Sequence, residues 1–302
     1  MDERVKTASL SIISNSSLII MKLIVGIFTG SVSILSEAIH STMDLAASII
    51  SFFSVKISSR PADKEHPYGH GKFEDVSGVL EAVLIFAASI IIITEALKRL
   101  ISGQEVNSST LGFLIMFLSA AINFLVSSKL HKVAEKNDSM ALKADALHLR
   151  TDVYSSAGVG LGLFLIWITG LHFLDPLVAI FIAFFILKEA ANLLKSAFNP
   201  LVDVKLSDSE ISIITDTISK YNPGYCGFHK LRTRKSGNER YVDLHLVFPG
   251  NMHIKKAHDI CDDIEKEMRK SLKNTEVMIH LESCNDDCAN CGLPNKSKCK
   301  NR

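Results

Sequence analysis

Two short stretches of this chain place a histidine and an aspartate four residues apart inside long apolar runs. One reads Glu37, Ala38, Ile39, His40, Ser41, Thr42, Met43, Asp44; the other reads Asp145, Ala146, Leu147, His148, Leu149, Arg150, Thr151, Asp152. On a helix, residues i and i+4 share a face, so each stretch presents one imidazole and one carboxylate to the same point. Two such helices side by side offer two nitrogens and two oxygens. That set suits a tetrahedral divalent ion, zinc first, and its two carboxylates cancel the ion's charge. A proton relay or an interhelical hydrogen-bond network is the alternative use of the same groups. Ionisable side chains inside a membrane span cost about 2.5 to 3.5 kcal/mol each even on the mildest scale, which makes both stretches functional candidates. Glu37 and Asp145, each three residues before a histidine, either steer ions or protons toward the site or are acids that support its ligands from the side or sit at the lipid interface.

A second cluster, Asp63, His66 and His70, lies in the polar run from Asp63 to Lys72. Two histidines four apart, with an acid three before the first, either converge on a metal or decorate a solvated loop, and Gly69 and Gly71 let the backbone wrap closely. Further on, His229 and His245 fall on two predicted strands, and His280 and Glu282 share one face of a third by the period of two; His258 sits on the helix between. These five either converge or are ordinary surface residues. All six cysteines, Cys226, Cys261, Cys284, Cys288, Cys291 and Cys299, lie in the charge-rich C-terminal part. In a cytosolic tail they are thiols or metal ligands, because cytosolic disulfides are rare.

The elements that must position these groups follow from the distribution of charge. Residues 1 to 203 hold 34 Asp, Glu, Lys and Arg and residues 204 to 302 hold 31, a density nearly doubled over half the length, so two solvents are implied. The stretches Val106 to Ser128 and Val153 to Leu174 carry no formal charge, and each is long enough as a helix to cross a hydrocarbon core of roughly 30 Å. A wholly soluble protein is excluded. A net charge of +1 argues against a nucleic-acid partner. Apolar spans are expected near 8 to 30, 32 to 58, 74 to 100, 107 to 130, 141 to 170 and 175 to 198. The first is read as a retained membrane helix, since no small-residue cleavage pattern follows the charged Met1 to Lys6. Asp175 and Pro176 read as a cap and first-turn proline for the sixth. The links between spans two and three (Lys56, Arg60, Lys64, Lys72) and four and five (Lys129, Lys132, Lys136, Lys143) are basic and are therefore expected in the cytoplasm, with both termini; Lys98 and Arg99 count against the rule without inverting it. Beyond Asp203, the periodicities predict a helix from Ser207 to Tyr221, strands over Phe228 to Arg234 and Arg240 to Phe248 around a Ser236, Gly237, Asn238 turn, a helix from His253 to Leu272, and a strand over Glu276 to Glu282. The expected organisation is a six-helix transmembrane domain over 1–203, a cytoplasmic α+β (αββαβ) domain over 204–283 and a cysteine-containing tail over 284–302.

On these residues the chain resembles the cation diffusion facilitators from about residue 8 to 283. The likeness is carried by the paired His-x-x-x-Asp, by Arg60, Pro61, Ala62, Asp63 with His66, Pro67, Tyr68, Gly69, His70, Gly71, Lys72, and by His229 to Gly237. The resemblance implies a dimeric six-span divalent-metal transporter with a metallochaperone-like cytoplasmic domain. It assigns His40, Asp44, His148 and Asp152 to the transport site, Asp63, His66 and His70 to a peripheral site, and His229, His245, His258, His280 and Glu282 to a binuclear cytoplasmic site. Glu282 stands where well-studied members carry Asp. His40 resembles the zinc-selective pattern, where other members carry Asp. His131, His172 and His253 match no family position.

The expectation is therefore proton-coupled export of zinc from the cytoplasm by a homodimer, joined through the C-terminal domain and membrane helices in a bacterial-type inner membrane. Zn2+ would be both cargo and regulator, protons the counter-ion, and no catalytic residue or organic cofactor is assigned, so the chain is read as a transporter and not an enzyme. Export of iron, cobalt, manganese or cadmium is the near alternative, and a membrane-anchored metal sensor the distant one.

Overall fold

The structure is a computed structural model, and it describes residues 2–29, 32–102, 110–169 and 173–284. It separates into two units, Met1–Asn199 and Pro200–Arg302.

Among the described residues the first unit is six long helices: α1 (Glu3–Thr29), α2 (Val32–Ser58), α3 (Lys72–Ser102), α4 (Thr110–Asn137), α5 (Met140–Thr169) and α6 (Leu174–Leu201). Each is long enough to cross a bilayer at 1.5 Å per residue. Among the described residues, Glu3–Phe28, Lys72–Ile101 and Pro176–Leu201 also meet a strict hydropathy test. The packing is that of a protein dissolved in lipid. Small or hydroxylated side chains fill the interior, with Ala8, Ser11, Ala47, Ser48, Ser51, Ala82, Ala141 and Ala190 fully buried. Large apolar ones face outward, Phe28, Leu125 and Phe181 among them. Without a hydrophobic drive between helices, close backbone approach and interhelical hydrogen bonds hold such a bundle. Gly78 shows the closeness: a Cβ there would lie 2.8 Å from Met140 Cγ and 3.0 Å from Ala197 Cβ.

Two expectations are corrected here. The basic link between the fourth and fifth spans is almost entirely helical: Lys129, Lys132 and Lys136 ride on α4 and Lys143 on α5, leaving Asp138 and Ser139 as the turn. The helices outrun the apolar stretch because their amphiphilic ends leave the membrane without unwinding. Asp138 takes a left-handed conformation (φ 53), and the Ser139 hydroxyl accepts from Leu142 N at 3.4 Å, opening α5. Asp175 is not a cap, since α6 starts at Leu174; Pro176 still falls in the first turn, where its missing N–H breaks no hydrogen bond. Gly30 and Ser31, between the first two spans, lie outside the described residues.

The second unit orders α7 (Asp208–Ser219), β1 (Gly227–Ser236), β2 (Glu239–Pro249), α8 (Ile254–Ser271) and β3 (Thr275–Cys284). Ser207 caps α7 in a capping box with Glu210, and His253 caps α8. Gly237, at φ 58, opens the two-residue turn between the paired Ser236 and Glu239. The sheet order is β1-β2-β3, antiparallel then parallel, the parallel step being made by the α8 crossover. Val242, Leu244, Leu246 and Phe248 of β2 pack on Ile214 and Ile218 of α7 and on Ala257, Cys261, Ile264 and Met268 of α8. Both helices therefore cover one face of the sheet. Burial pushes the Cys261 thiol up to about 12, which makes it a core residue and not a thiolate ligand.

Candidate metal sites

Three clusters collect most of the residues singled out above. In the membrane unit, α2 and α5 pack together, and His148 Nε2 lies 3.2 Å from Asp44 Oδ1, both groups buried. Asp152 Oδ2 accepts from Asn123 Nδ2 of α4 at 3.2 Å. Asp44 and Asp152 line one cavity of about 450 Å3 together with Asn15, Lys22, Ser41 and Asn123. It extends along α3 to Glu95 and Arg99, near that helix's C-terminal end. The His40 side chain lies outside the described residues.

Sequence reasoning missed the groups that frame this site. Asn15 Nδ2 donates to Ser48 Oγ at 2.8 Å and to the Asp44 carbonyl at 3.3 Å, clamping α1 to the backbone of a candidate ligand. Lys22 Nζ, buried, donates to Ser41 Oγ at 2.8 Å. The expense of an ionisable group in an apolar run was signal enough to find Lys22; an asparagine carries no such mark.

The loop after α2 forms the second cluster. Asp63 Oδ1 accepts from the backbone N–H groups of Glu65 (2.9 Å) and His66 (2.7 Å), a local turn that folds the chain back on itself. Gly69, at φ 79, completes the reversal. His70 Nε2 comes within 3.3 Å of Asp63 Oδ2, His66 Nδ1 within 3.6 Å of Oδ1, and the two imidazoles are 4.5 Å apart. One ligand atom from each of Asp63, His66 and His70 fits within 4.8 Å of the others. The N–H donated by His66, before all else, holds the Asp63 carboxyl below its ordinary range, so it is ionised and ready for a cation.

The third cluster is on the sheet. His229, His245 and His280 are register partners across β1, β2 and β3, and they lie on the face opposite the two helices. A bulge sets this. The register shifts between His229 and Arg232, with Lys230 at φ 52, so that two β1 residues oppose one on β2. Without the extra residue His229 would pair one position along and point into the core. Glu282 bridges His229 Nε2 (Oε2, 2.7 Å) and His245 Nδ1 (Oε1, 2.6 Å). These two hydrogen bonds, that from His245 first, depress the Glu282 carboxyl to about 2. His229, His245 and Glu282 meet the same 4.8 Å test, and the His280 ring lies 4.6 Å from that of His245. His258 is not brought in: it is on α8, across the sheet, and pairs with Asp262 at 3.1 Å. Cys284 ends β3; Cys288, Cys291 and Cys299 lie outside the described residues, as does His172.

Comparison with known proteins identifies the family of both units. Residues 8–202 match the family model of the cation efflux transmembrane domain, and residues 206–284 that of the cation efflux protein cytoplasmic domain. An uncharacterized transporter, sll1263, of Synechocystis is 35% identical over 258 residues, 85% of this chain and 83% of its own. The cation-efflux pump FieF of Salmonella paratyphi A is 31% identical over 269 residues, 89% of each chain. The metal-bound C-terminal domain of the CzcD transporter from Thermotoga maritima aligns with 27% of this chain and 99% of its own at 26% identity, with a TM-score of 0.25. Six long helices wrapped around buried carboxylate and imidazole, followed by an αββαβ unit and matched by both family models, make this chain a cation efflux transporter of the cation diffusion facilitator family.

Proposed function

We propose that the protein exports zinc from the cytoplasm in exchange for protons. The observation that carries this reading is the buried contact of His148 with Asp44 on the wall of the cavity that Asp152 shares. A cation bound there takes imidazole nitrogen and carboxylate oxygen, and His40, four residues before Asp44, supplies the second nitrogen. Nitrogen and oxygen in this ratio favour zinc over harder ions such as manganese. The His148 to Asp44 contact supports competition by a proton: an imidazolium would occupy the carboxylate that the metal needs. Acidity on the receiving side therefore favours discharge of the ion.

Direction follows from charge. With the basic ends of α2, α4 and α5 in the cytoplasm, the cavity leads from Asp44 toward the opposite surface, where Glu95 and Arg99 lie. This conformation would then be one that releases. Alternating access requires a second, inward-facing arrangement, and the cation shifts the balance only by its preference for one of them. The cytoplasmic domain over 204–283 is assigned to dimerisation and regulation: its exposed histidine face binds zinc through His229, His245, His280 and Glu282 when the cytosol is loaded. Asp63, His66 and His70 would hold a further ion at the membrane surface. Both termini are placed in the cytoplasm and the protein in the inner membrane.

Reconstitution tests the core of this. Vesicles holding the protein and an imposed proton gradient should accumulate zinc, and Asp44→Ala or Asp152→Ala should stop them. Uptake that ignores the gradient, or that survives both substitutions, would overturn the proposal.

A further inference from the structure

Glu81 of α3 and Asp145 of α5 are wholly buried acids that the transport cycle above leaves unused. The two helices pack through Ala82, Ile85, Ala144 and Leu147, and the absence of a side chain at Gly78 lets them close. Ala82 and Ala144, each next in sequence to one of the two acids, belong to one buried cluster, so Glu81 and Asp145 flank the same α3 to α5 seam. Asp145 Oδ1 accepts from Ser11 Oγ at 3.1 Å and from Ser48 Oγ at 3.2 Å. Its Oδ2, and both oxygens of Glu81, have no hydrogen-bond partner among the described residues.

Glu74 provides the internal control. It lies seven residues earlier on the same face of α3 and is equally buried, yet its oxygens accept from Arg4 Nη1 (2.9 Å), Ser58 Oγ (2.7 Å) and the Ser139 hydroxyl. Where a buried acid is structural, this bundle surrounds it with fixed donors. At Glu81 and Asp145 it supplies half a set. Two neighbouring carboxylates in a low-dielectric interior do not both stay ionised without a counter-charge, and a bare carboxylate oxygen there is expensive.

We propose that Glu81 and Asp145 form a second intramembrane site for the transported divalent cation. Their two charges cancel the ion's two, and the hydroxyls of Ser11 and Ser48 complete a hard, all-oxygen donor set. Asp145 stands three residues, a rise of about 4.5 Å, before His148 on the side of the α4 to α5 turn. Neither acid lines the cavity that reaches Asp44 and Asp152. The ion thus has a resting place on the closed side of the bundle and a release site on the open side. The direction of passage rests on the transport reading given above; the existence of the site does not. An oxygen-only site discriminates weakly among divalent ions, which leaves selection to the histidine-bearing site.

Zinc bound per protomer, counted by equilibrium dialysis of the full-length protein in detergent, tests this. Glu81→Gln, which keeps shape and removes charge, should bind one ion fewer than wild type, and Glu81→Asp should restore it. In vesicles, Glu81→Gln should raise the zinc KM about tenfold or more, the scale on which metal sites respond to lost oxygen partners. Should Glu81→Gln fail to give folded protein, Asp145→Asn decides in the same way. An ion count equal to wild type in these variants overturns the proposal. The two readings fail separately: transport that survives Asp44→Ala overturns the transport reading, whereas loss of transport in Asp44→Ala with a full ion count in Glu81→Gln overturns only this one.

Discussion

The two units solve opposite solvation problems with the same ligand types. In the membrane unit the charges are inside and the large apolar side chains outside; in the cytoplasmic unit the apolar residues fill one side of the sheet and the histidines and Glu282 lie on the other. The consequence is kinetic as much as structural. An ion held by Asp44 and His148 leaves the cavity only along a path that the helices define, and its desolvated ligands make each protonation step consequential. On the reading proposed above, an ion held by the half-buried His229, His245 and Glu282 would exchange with the solution beside it and report its concentration.

The comparison breaks most sharply at the ligands. Asp44→Ala should reduce zinc uptake about 100-fold or more, to the vesicle background, while Glu282→Gln should leave uptake at saturating zinc intact and shift only the zinc concentration at which it begins. Equal losses in the two variants would erase the distinction drawn here. Next in size is the bulge. Deleting Lys230 should rotate His229 into the core and cost the cytoplasmic site about 10-fold in zinc affinity, readable by calorimetry, with the membrane site unaffected.

A pH titration probes the same site. The Glu282 carboxyl is depressed from 4.5 to about 2, so its hydrogen bonds with His229 and His245 contribute stability fully above pH 4.5 and lose it as pH falls through about 2. The stability difference between wild type and Glu282→Gln, followed by chemical unfolding, should be flat above pH 4.5 and shrink below it; a difference that grows on acidification would contradict the pairing. The smallest effect belongs to a residue outside both sites. Ser207→Ala removes the α7 cap and should lower cytoplasmic-domain stability by about 1 kcal/mol without altering uptake.

Much of the fold was legible because it is encoded locally. The capping serine at 207, the Gly237 turn and the alternation of β2 each mark their element within a few residues. Helix ends in the membrane unit were not, since α4 runs on to Asn137 through residues whose charge suggested a loop. Polarity says where a helix leaves the lipid, not where it ends. Of the candidate ligands, the pairs at spacing four were readable from helical geometry alone. Asn15 and Asn123 were not, because an uncharged amide becomes part of a site only through the helix that happens to pack there.

By itself the sequence determined the two solvents, the identity and spacing of the ligand-bearing residues and the order of the elements, all of which are properties of short windows of chain. Only the tertiary structure decided which residues meet. It set His148 against Asp44 across 104 positions, placed His258 behind the sheet and away from His245, and satisfied Glu74 while giving Glu81 no donor among the described residues. The reason is physical: a pairing between distant residues depends on helix packing and strand register, and a one-residue bulge or one missing Cβ redirects either.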